Sequence, residues 1–183
     1  MSGESWEAAV SGDAIVSRDV ISVTDKTIFL SGNAFDSGAL APMKSLDVGQ
    51  ISPNDDRGWR GKKRVSFEQV DDPAAADFTL SIATPTTTDA LCAPLETIGM
   101  WNCCNGTNVV LNSDRWTYGS PIFSSVEAYH VYEINHEVGH FLGHEHEYCA
   151  GAGLTSPVMA QQSRTREGGC TENGWPTRDN QAP

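Results

Sequence analysis

Short apolar runs alternate with turn residues along the first part of the chain, which is the pattern of strands joined by short connections. Strands are predicted at residues 14–16, 20–23, 27–30, 64–70, 78–83 and 109–112. A helix over residues 36–50 is weakened by Gly38 and Pro42, and residues 52–58 are predicted to form a loop. The pattern therefore predicts a sheet in this part of the chain.

The segment from Ser125 to Leu142 has a different pattern. It contains one glycine and no proline, and its apolar residues cover more than one helical face, as in a helix buried on several sides. Ser124 or Ser125 can cap its N-terminus, and Gly143 can end it in a left-handed conformation. Glycines, prolines and polar residues dominate after Gly143, so an irregular C-terminal segment is predicted.

Length and charge exclude several classes of protein. The chain of 183 residues has the size of one domain, and no apolar run reaches the roughly 20 residues of a membrane-spanning helix. With 24 acidic and 12 basic residues the formal charge is −12, so a nucleic-acid backbone would be repelled. The start at Met1 lacks the basic and apolar regions of a signal peptide. Either the protein stays inside the cell or its leader is absent from this chain.

The five cysteines form no Cys-x-x-Cys pair, which disfavours a cysteine zinc site and a thioredoxin-like redox site. Because their number is odd, at least one thiol stays unpaired. The shortest loops would join Cys92 to Cys103 or Cys104, and Cys149 to Cys170, although the sequence does not fix the connectivity. Five reduced, buried thiols would be the alternative in a reducing compartment.

The strongest chemical signal lies at the end of the predicted helix, where residues 136–146 read His-Glu-Val-Gly-His-Phe-Leu-Gly-His-Glu-His. His136 and His140 are one turn apart, so both imidazoles lie on one helical face, where they can share a metal ion. Gly143 allows a sharp turn at positive φ, and this turn can return His146 as a third ligand. His144 is off this register and is expected to be a solvent-exposed neighbour.

Three neutral imidazoles leave one position of a tetrahedral zinc ion open, as in catalytic rather than structural zinc sites. Glu137 follows the first ligand and is expected beside the metal, where it can act as general base towards an activated water. A helix end with surface histidines is the simpler interpretation, and the additional Gly143 and His146 argue against it.

The extended motif, followed by Ser156-Pro157-Val158-Met159, resembles the metzincin clan of zinc endopeptidases. By this resemblance Met159 belongs to a turn that forms an apolar floor beneath the three histidines. The clan also implies an α+β fold with a twisted mixed sheet and helices. A single catalytic domain, residues 1–183, would divide into an upper subdomain, about 1–143, and a small irregular lower subdomain, about 144–183.

A closer resemblance, to a largely uncharacterised family of bacterial, mostly secreted or membrane-anchored metzincin-like proteins, covers most of the chain from residue 71 onwards. The matching segments are residues 71–78, 91–95, 109–116, 135–140 and 157–162. The family's cysteines correspond to Cys92, Cys103, Cys149 and Cys170, which implies two disulfides and leaves Cys104 as the odd thiol. The sequence departs from some metzincins because no tyrosine follows Met159 closely and no propeptide cysteine switch is evident.

The resemblance and the motif together predict a zinc-dependent endopeptidase with one catalytic Zn²⁺ and a polypeptide substrate. In metzincins an edge strand pairs with the substrate through backbone hydrogen bonds. Val109, Val110, Leu111 and Asn112 are the candidate strand, and an ordinary interior strand is equally compatible with their pattern. The alternative functions are a catalytically idle, zinc-stabilised binding domain and a zinc hydrolase of a non-protein amide. We expect a monomer that is secreted or displayed at the cell surface, with a cytoplasmic location left open.

Overall fold

The computed structural model describes residues 15–24, 27–34, 55–59, 61, 65, 67–69 and 76–177. Within these ranges the fold is α+β, with a mixed sheet packed against helices and an irregular C-terminal segment. The predicted helix over residues 36–50 lies outside the described residues.

Six strands form the sheet of the described chain. They are β1 (Ile15–Thr24), β2 (Thr27–Ala34), β3 (Glu68–Gln69), β4 (Phe78–Ala83), β5 (Cys103–Asn105) and β6 (Asn108–Asn112). Their order is β2-β1-β4-β6-β5, and β3 pairs with β1 off this path. The pair β4 and β6 is parallel, whereas the other pairs are antiparallel. This order puts β5 at one end of the sheet.

The apolar pattern located the strands at residues 27–30, 78–83 and 109–112 well, whereas only Glu68–Gln69 of the strand predicted at residues 64–70 is a strand among the described residues. The strand predicted at residues 78–83 is confirmed as β4, and residues 109–112 lie within β6. Residues 14–16 and 20–23 were predicted as two strands, but residues 15–24 form the single strand β1. Its register against β4 shifts between Ile15 and Ser17, which is the kind of irregularity that interrupts a period-2 pattern.

The helices of the described chain are α1 (Pro85–Cys92), α2 (Ser113–Tyr118) and α3 (Val126–Phe141), with a 3-10 turn at Glu167–Gly169. Helix α3 confirms the helix that the sequence predicts between residues 125 and 142. The side chain of Ser125 accepts a hydrogen bond from the Ala128 N–H at 3.1 Å, so Ser125 is the N-cap. Helices α1 and α2 were not predicted because both are short and rich in threonine or polar residues.

The main core lies between the sheet and α3. Phe78, Leu80 and Ile82 alternate along β4 and therefore share one face. The parallel register pairs Leu80 with Val109 and Ile82 with Leu111, so two rows of apolar side chains form one surface. Ile134 and Val138 of α3 belong to the same buried cluster. Burial of a side chain of this size stabilises a fold by about 1.5–3 kcal/mol, which holds α3 firmly on the sheet.

Two disulfides link the chain, Cys92–Cys103 and Cys149–Cys170, with Cα–Cα distances of 6.0 and 5.8 Å. They confirm the pairing implied by the family resemblance, and Cys104 is the free thiol. The first bond ties the end of α1 to β5, and the second closes a loop in the C-terminal segment. Disulfides of this kind are typical of oxidising compartments. None of the described helices has the length and apolar character needed to cross a bilayer.

Candidate metal centre

Helix α3 carries two of the three histidines of the motif. His136 is buried and His140 is half-buried, and their Nε2 atoms lie 3.2 Å apart. Their spacing of one turn explains this proximity, because residues i and i+4 occupy the same helical face. The fold therefore brings the first two predicted ligands together.

The turn after α3 reverses the chain at Gly143, which has a φ of 88°. The Gly143 N–H donates to the His140 carbonyl and the His144 N–H donates to the Gly139 carbonyl, each at 3.0 Å. These two bonds form the Schellman pattern of a helix C-terminus. A Cβ at position 143 would meet no atom within 4 Å, so glycine is required there for its backbone conformation and not for space.

The reversed chain delivers His146 to the other two histidines. The Nε2 atoms of His146 and His140 are 3.2 Å apart, and the ligand atoms of all three histidines lie within 4.8 Å of one another. His144 is outside this group. It is half-buried rather than solvent-exposed, because its ring stacks on Trp59 with centroids 4.6 Å apart.

Two hydrogen bonds fix the orientation of the rings on α3. The Nδ1 of His136 lies 2.8 Å from the Val158 carbonyl oxygen, and the Nδ1 of His140 lies 2.8 Å from the His144 carbonyl oxygen. Because a carbonyl oxygen can only accept, each Nδ1 carries the proton and each Nε2 keeps its lone pair. Two lone pairs facing each other at 3.2 Å repel unless a cation balances them. The arrangement therefore fits a metal ion held by the Nε2 atoms.

The protonation state of the triad also suits metal binding. Burial and, to a smaller extent, the neighbouring His140 lower the pKa of His136 to about 3, although the hydrogen bond to the Val158 carbonyl opposes them. Burial is also the main cause that lowers the pKa of His140 and of His146. Since a neutral imidazole is the form that binds a metal, all three side chains are ready to act as ligands at neutral pH.

Glu137 follows His136 in sequence, and both side chains line one cleft of the structure. Its side chain is buried, and burial raises its pKa to about 8. No basic side chain forms an ion pair with it within the described ranges. A carboxyl group with a pKa near neutrality can both accept and donate a proton, which is the property of a general acid–base catalyst.

A cleft of about 470 Å³ opens above the triad. Three parts of the chain line it: the loop before β5, the end of α3 with its turn, and the segment after Met159. Trp101 comes from the first part and Arg164 from the third, and the Arg164 guanidinium lies 4.8 Å from the centre of the Trp101 ring. The volume is within the range of ligand-binding clefts in proteins.

Met159 is fully buried against α3, next to the triad. A Cβ at Gly139 would lie 2.4 Å from the Met159 Sδ and 2.8 Å from the Trp59 Cζ2. The role of Gly139 was not predicted from the sequence. The available signal was a glycine in the interior of a helix, where it costs about 1 kcal/mol relative to alanine.

Buried hydrogen bonds fasten the irregular C-terminal segment to α3. The Tyr132 hydroxyl donates to the Ala160 carbonyl at 2.9 Å and accepts from the Gln162 N–H at 3.0 Å. The Asn135 side chain donates to the Gly174 carbonyl at 2.8 Å. These bonds and the Cys149–Cys170 disulfide hold the segment, although it has little regular secondary structure.

The candidate substrate-pairing strand is wrong. Val109, Val110, Leu111 and Asn112 lie in β6, which pairs with β4 on one side and with β5 on the other. A strand paired on both sides has no free backbone edge for a substrate. The prediction took the last strand before α3 in sequence, whereas the edge of the sheet is formed by β5, which comes earlier in the chain.

Strand β5 borders the cleft and pairs only with β6 among the described residues. Its Cys103 is disulfide-bonded, and its Cys104 is a half-buried free thiol that lines the cleft. Burial raises the pKa of Cys104 to about 12, and the nearby charge of Glu137 adds to the effect. The side chain is therefore a neutral thiol, which is a poor metal ligand.

A second buried carboxyl group, also missed by the sequence analysis, lies one turn before Glu137. Glu133 is fully buried, and its Oε2 accepts a hydrogen bond from the Asn102 side chain at 2.8 Å. The Asn102 oxygen in turn accepts from the Asn112 N–H at 2.8 Å. These bonds tie α3 to the residue that precedes β5. Glu133 belongs to the helix's buried face, and that position was the available signal.

Residues 39–173 match a family described as a protein of unknown function, DUF3152, and this match covers more than half of the chain. The chain belongs to the DUF3152 family. The matched region contains the histidine triad, Glu137 and Met159. Neither a curated protein nor a solved structure matches the chain. The function therefore has to be inferred from the geometry of the site.

Proposed function

We propose that this member of the DUF3152 family is a zinc-dependent endopeptidase of the metzincin type. The observation that carries the proposal is the convergence of the Nε2 atoms of His136, His140 and His146 next to the buried carboxyl group of Glu137. Three ligands from a helix and the turn after it leave room for a further ligand at the metal. An open position of this kind distinguishes catalytic from structural zinc sites.

Zinc is the metal that this donor set fits best. Three neutral imidazoles, two of them oriented by Nδ1 hydrogen bonds to carbonyl oxygens, are typical ligands of catalytic zinc. A Zn²⁺ ion held there supplies Lewis acidity, which lowers the pKa of a water molecule and polarises a substrate carbonyl group.

Glu137 performs the proton transfers in the proposed reaction. Its carboxylate accepts a proton from the attacking water and then donates that proton to the nitrogen of the leaving amine. Burial favours the protonated form of Glu137, so the group can hold the proton between the two transfers. The buried position also keeps the carboxyl group away from bulk water, which would otherwise compete for its hydrogen bonds.

The substrate in this proposal is an extended polypeptide that adds to the free edge of β5. Strand addition satisfies the backbone donors and acceptors of both chains and selects an extended substrate conformation. β5 borders the cleft and has no second strand partner among the described residues. The two disulfides support a secreted or cell-surface location.

Digestion of an unfolded protein by the zinc-loaded wild type and by Glu137→Ala tests this proposal. Mass spectrometry identifies the products, and zinc content is measured for both proteins. We expect cleavage by the wild type alone, with equal zinc content in the two proteins. Cleavage by Glu137→Ala at the wild-type rate would remove the general base from the mechanism. Zinc binding with no cleavage by either protein would favour a catalytically idle, zinc-stabilised binding domain. Cleavage confined to non-protein amides would favour a zinc hydrolase of a non-protein amide.

A further inference from the structure

The loop between α1 and β5, part of which lines the cleft, exposes three large apolar side chains. Leu95, Ile98 and Met100 are 49%, 66% and 44% exposed, and they lie within six residues of one another in sequence. We refer to these three residues as the apolar rim. Leu95 itself lines the cleft, as do Thr97 and Trp101 of the same loop, so the rim is continuous with the proposed active site.

The centre of this loop is a turn with an unfavourable residue. The Met100 N–H donates to the Thr97 carbonyl at 2.9 Å, which closes a four-residue turn. The two central residues, Ile98 and Gly99, both have positive φ, 49° and 64°. A turn with positive φ at both positions favours Asn-Gly, because asparagine tolerates the left-handed conformation. A β-branched isoleucine is strained there, and its side chain is nevertheless exposed to solvent.

Side chains from three neighbouring elements hold the strained turn in place. The Asp89 carboxylate of α1 accepts hydrogen bonds from the Thr97 hydroxyl and from the Gly99 N–H, the latter at 2.7 Å. The Asn112 side chain donates to the Gly99 carbonyl at 3.1 Å, and the Arg115 Nε donates to the Met100 carbonyl at 3.0 Å. The loop is therefore rigid, although its apolar side chains have little burial to stabilise them. Strain maintained around an exposed side chain points to a function for that side chain.

We propose that the apolar rim is a binding surface for large apolar side chains of an extended polypeptide substrate, with Ile98 as a specificity-determining residue. This inference rests on the proposed endopeptidase function and names its substrate class. The loop runs directly into β5, and Leu95 of the rim lines the same cleft as Cys103 and Cys104 of β5, so a peptide paired with the free edge of that strand would reach the loop that carries the rim. The chain's formal charge of −12 argues against an anionic membrane surface as the occupant.

Replacement of Ile98 by asparagine separates the structural effect from the binding effect. Ile98→Asn creates the Asn-Gly pair that this turn favours, and it removes an exposed apolar side chain. We expect the melting temperature to rise by about 2–4 °C, while binding of apolar peptides weakens. Leu154→Asn is the matched control, because Leu154 is likewise exposed, 53%, and belongs to the C-terminal segment rather than to the loop between α1 and β5.

Binding is measured by calorimetry on zinc-loaded Glu137→Ala protein, so that peptides remain intact. Two extended peptides are compared. They are identical except that one has leucine and the other serine at the positions that flank the centre of the peptide. In this background Ile98→Asn should raise the Kd of the leucine peptide about tenfold, which corresponds to the loss of one partly buried side chain. The Kd of the serine peptide should not change, and Leu154→Asn should alter neither value.

Three results would overturn the inference: no binding of either peptide, equal Kd changes for both peptides, or a raised melting temperature with no change in Kd. A concentration-dependent dimer in sedimentation experiments that Ile98→Asn abolishes would instead assign the rim to contacts between copies of the chain. The proposed function fails separately, if the zinc-loaded wild type cleaves neither peptide although the leucine peptide binds in the expected way.

Discussion

Gly139, which lies between His136 and His140 on α3, is in close contact with Met159. The helix can approach the turn that contains Met159 this closely because residue 139 has no side chain. A Cβ at that position would lie 2.4 Å from the Met159 Sδ. The same turn supplies the Val158 carbonyl that accepts the His136 Nδ1 proton. The contact therefore couples the packing of the turn to the orientation of His136, one of the three proposed metal ligands.

Replacement of Gly139 by alanine should destabilise the protein and weaken zinc binding. An added methyl group in a packed site costs about 1–3 kcal/mol, which lowers the melting temperature by several degrees. Met159→Ala creates space at the same place, so the double variant should lose less stability than the sum of the two single variants. Thermal unfolding and zinc titration measure both effects. Strict additivity of the two substitutions would contradict the proposed contact.

The third metal ligand can be identified by comparing two neighbouring histidines. His146→Ala should reduce zinc content strongly, because its Nε2 is part of the triad. His144→Ala should retain zinc, because its ring stacks on Trp59 and its contribution to the site is a backbone carbonyl that accepts from His140. Metal analysis after dialysis distinguishes the two variants. The reverse outcome would make His144 the ligand.

Removal of the metal should lower the stability of the whole fold. The triad joins α3 to the turn that follows it. Because a zinc ion would bind the triad only in the folded state, its binding stabilises this junction. At a free zinc concentration about 100 times Kd the stabilisation is about 2.7 kcal/mol, which corresponds to about 5–10 °C in melting temperature. A chelator should therefore lower the melting temperature of the wild type and leave that of a His136→Ala, His140→Ala double variant unchanged. An equal shift of both proteins would show that the chelator does not act through the triad.

Glu133 should make stability depend on pH in a predictable direction. Burial raises its pKa well above the ordinary value of 4.5, and the Asn102 hydrogen bond and the charge of Arg115 oppose this only in part. The folded state therefore holds a proton that the unfolded state releases above about pH 4.5. The stability that this proton contributes is complete below pH 4.5 and is lost as the pH rises towards the pKa of the folded state.

Glu133→Gln removes this dependence, because its neutral amide can still accept a hydrogen bond from Asn102. The variant should be more stable than the wild type at pH 8, and its free energy of unfolding should change less between pH 5 and pH 8. Chemical denaturation at several pH values provides the measurement. The exposed Glu96→Gln is the control for loss of one formal charge. A wild-type pH profile in Glu133→Gln would mean that Glu133 is ionised in the folded protein.

The sequence predicted the centre of the site better than its walls. Both signals for α3, the absence of breakers from Ser125 to Leu142 and the histidine spacing, are local in sequence and depend on helical geometry alone. The role of β5 depends on strand order, which arises from packing between distant segments. Its three residues, Cys103–Asn105, are too few to show a periodic pattern. The turn at Thr97–Met100 was likewise not predictable, because its central residues are Ile-Gly and not the Asn-Gly that marks such turns in a sequence.

The state of the metal is the most direct test of the central claim, that three histidines hold a catalytic zinc ion with an open position. X-ray absorption at the zinc edge counts and identifies the atoms bound to the metal. We predict three imidazole nitrogens at about 2.0–2.1 Å and one further light atom from solvent. Sulfur at about 2.3 Å would assign Cys104 to the metal, and a fourth imidazole would close the site. Either of these results would contradict the catalytic role proposed for this centre.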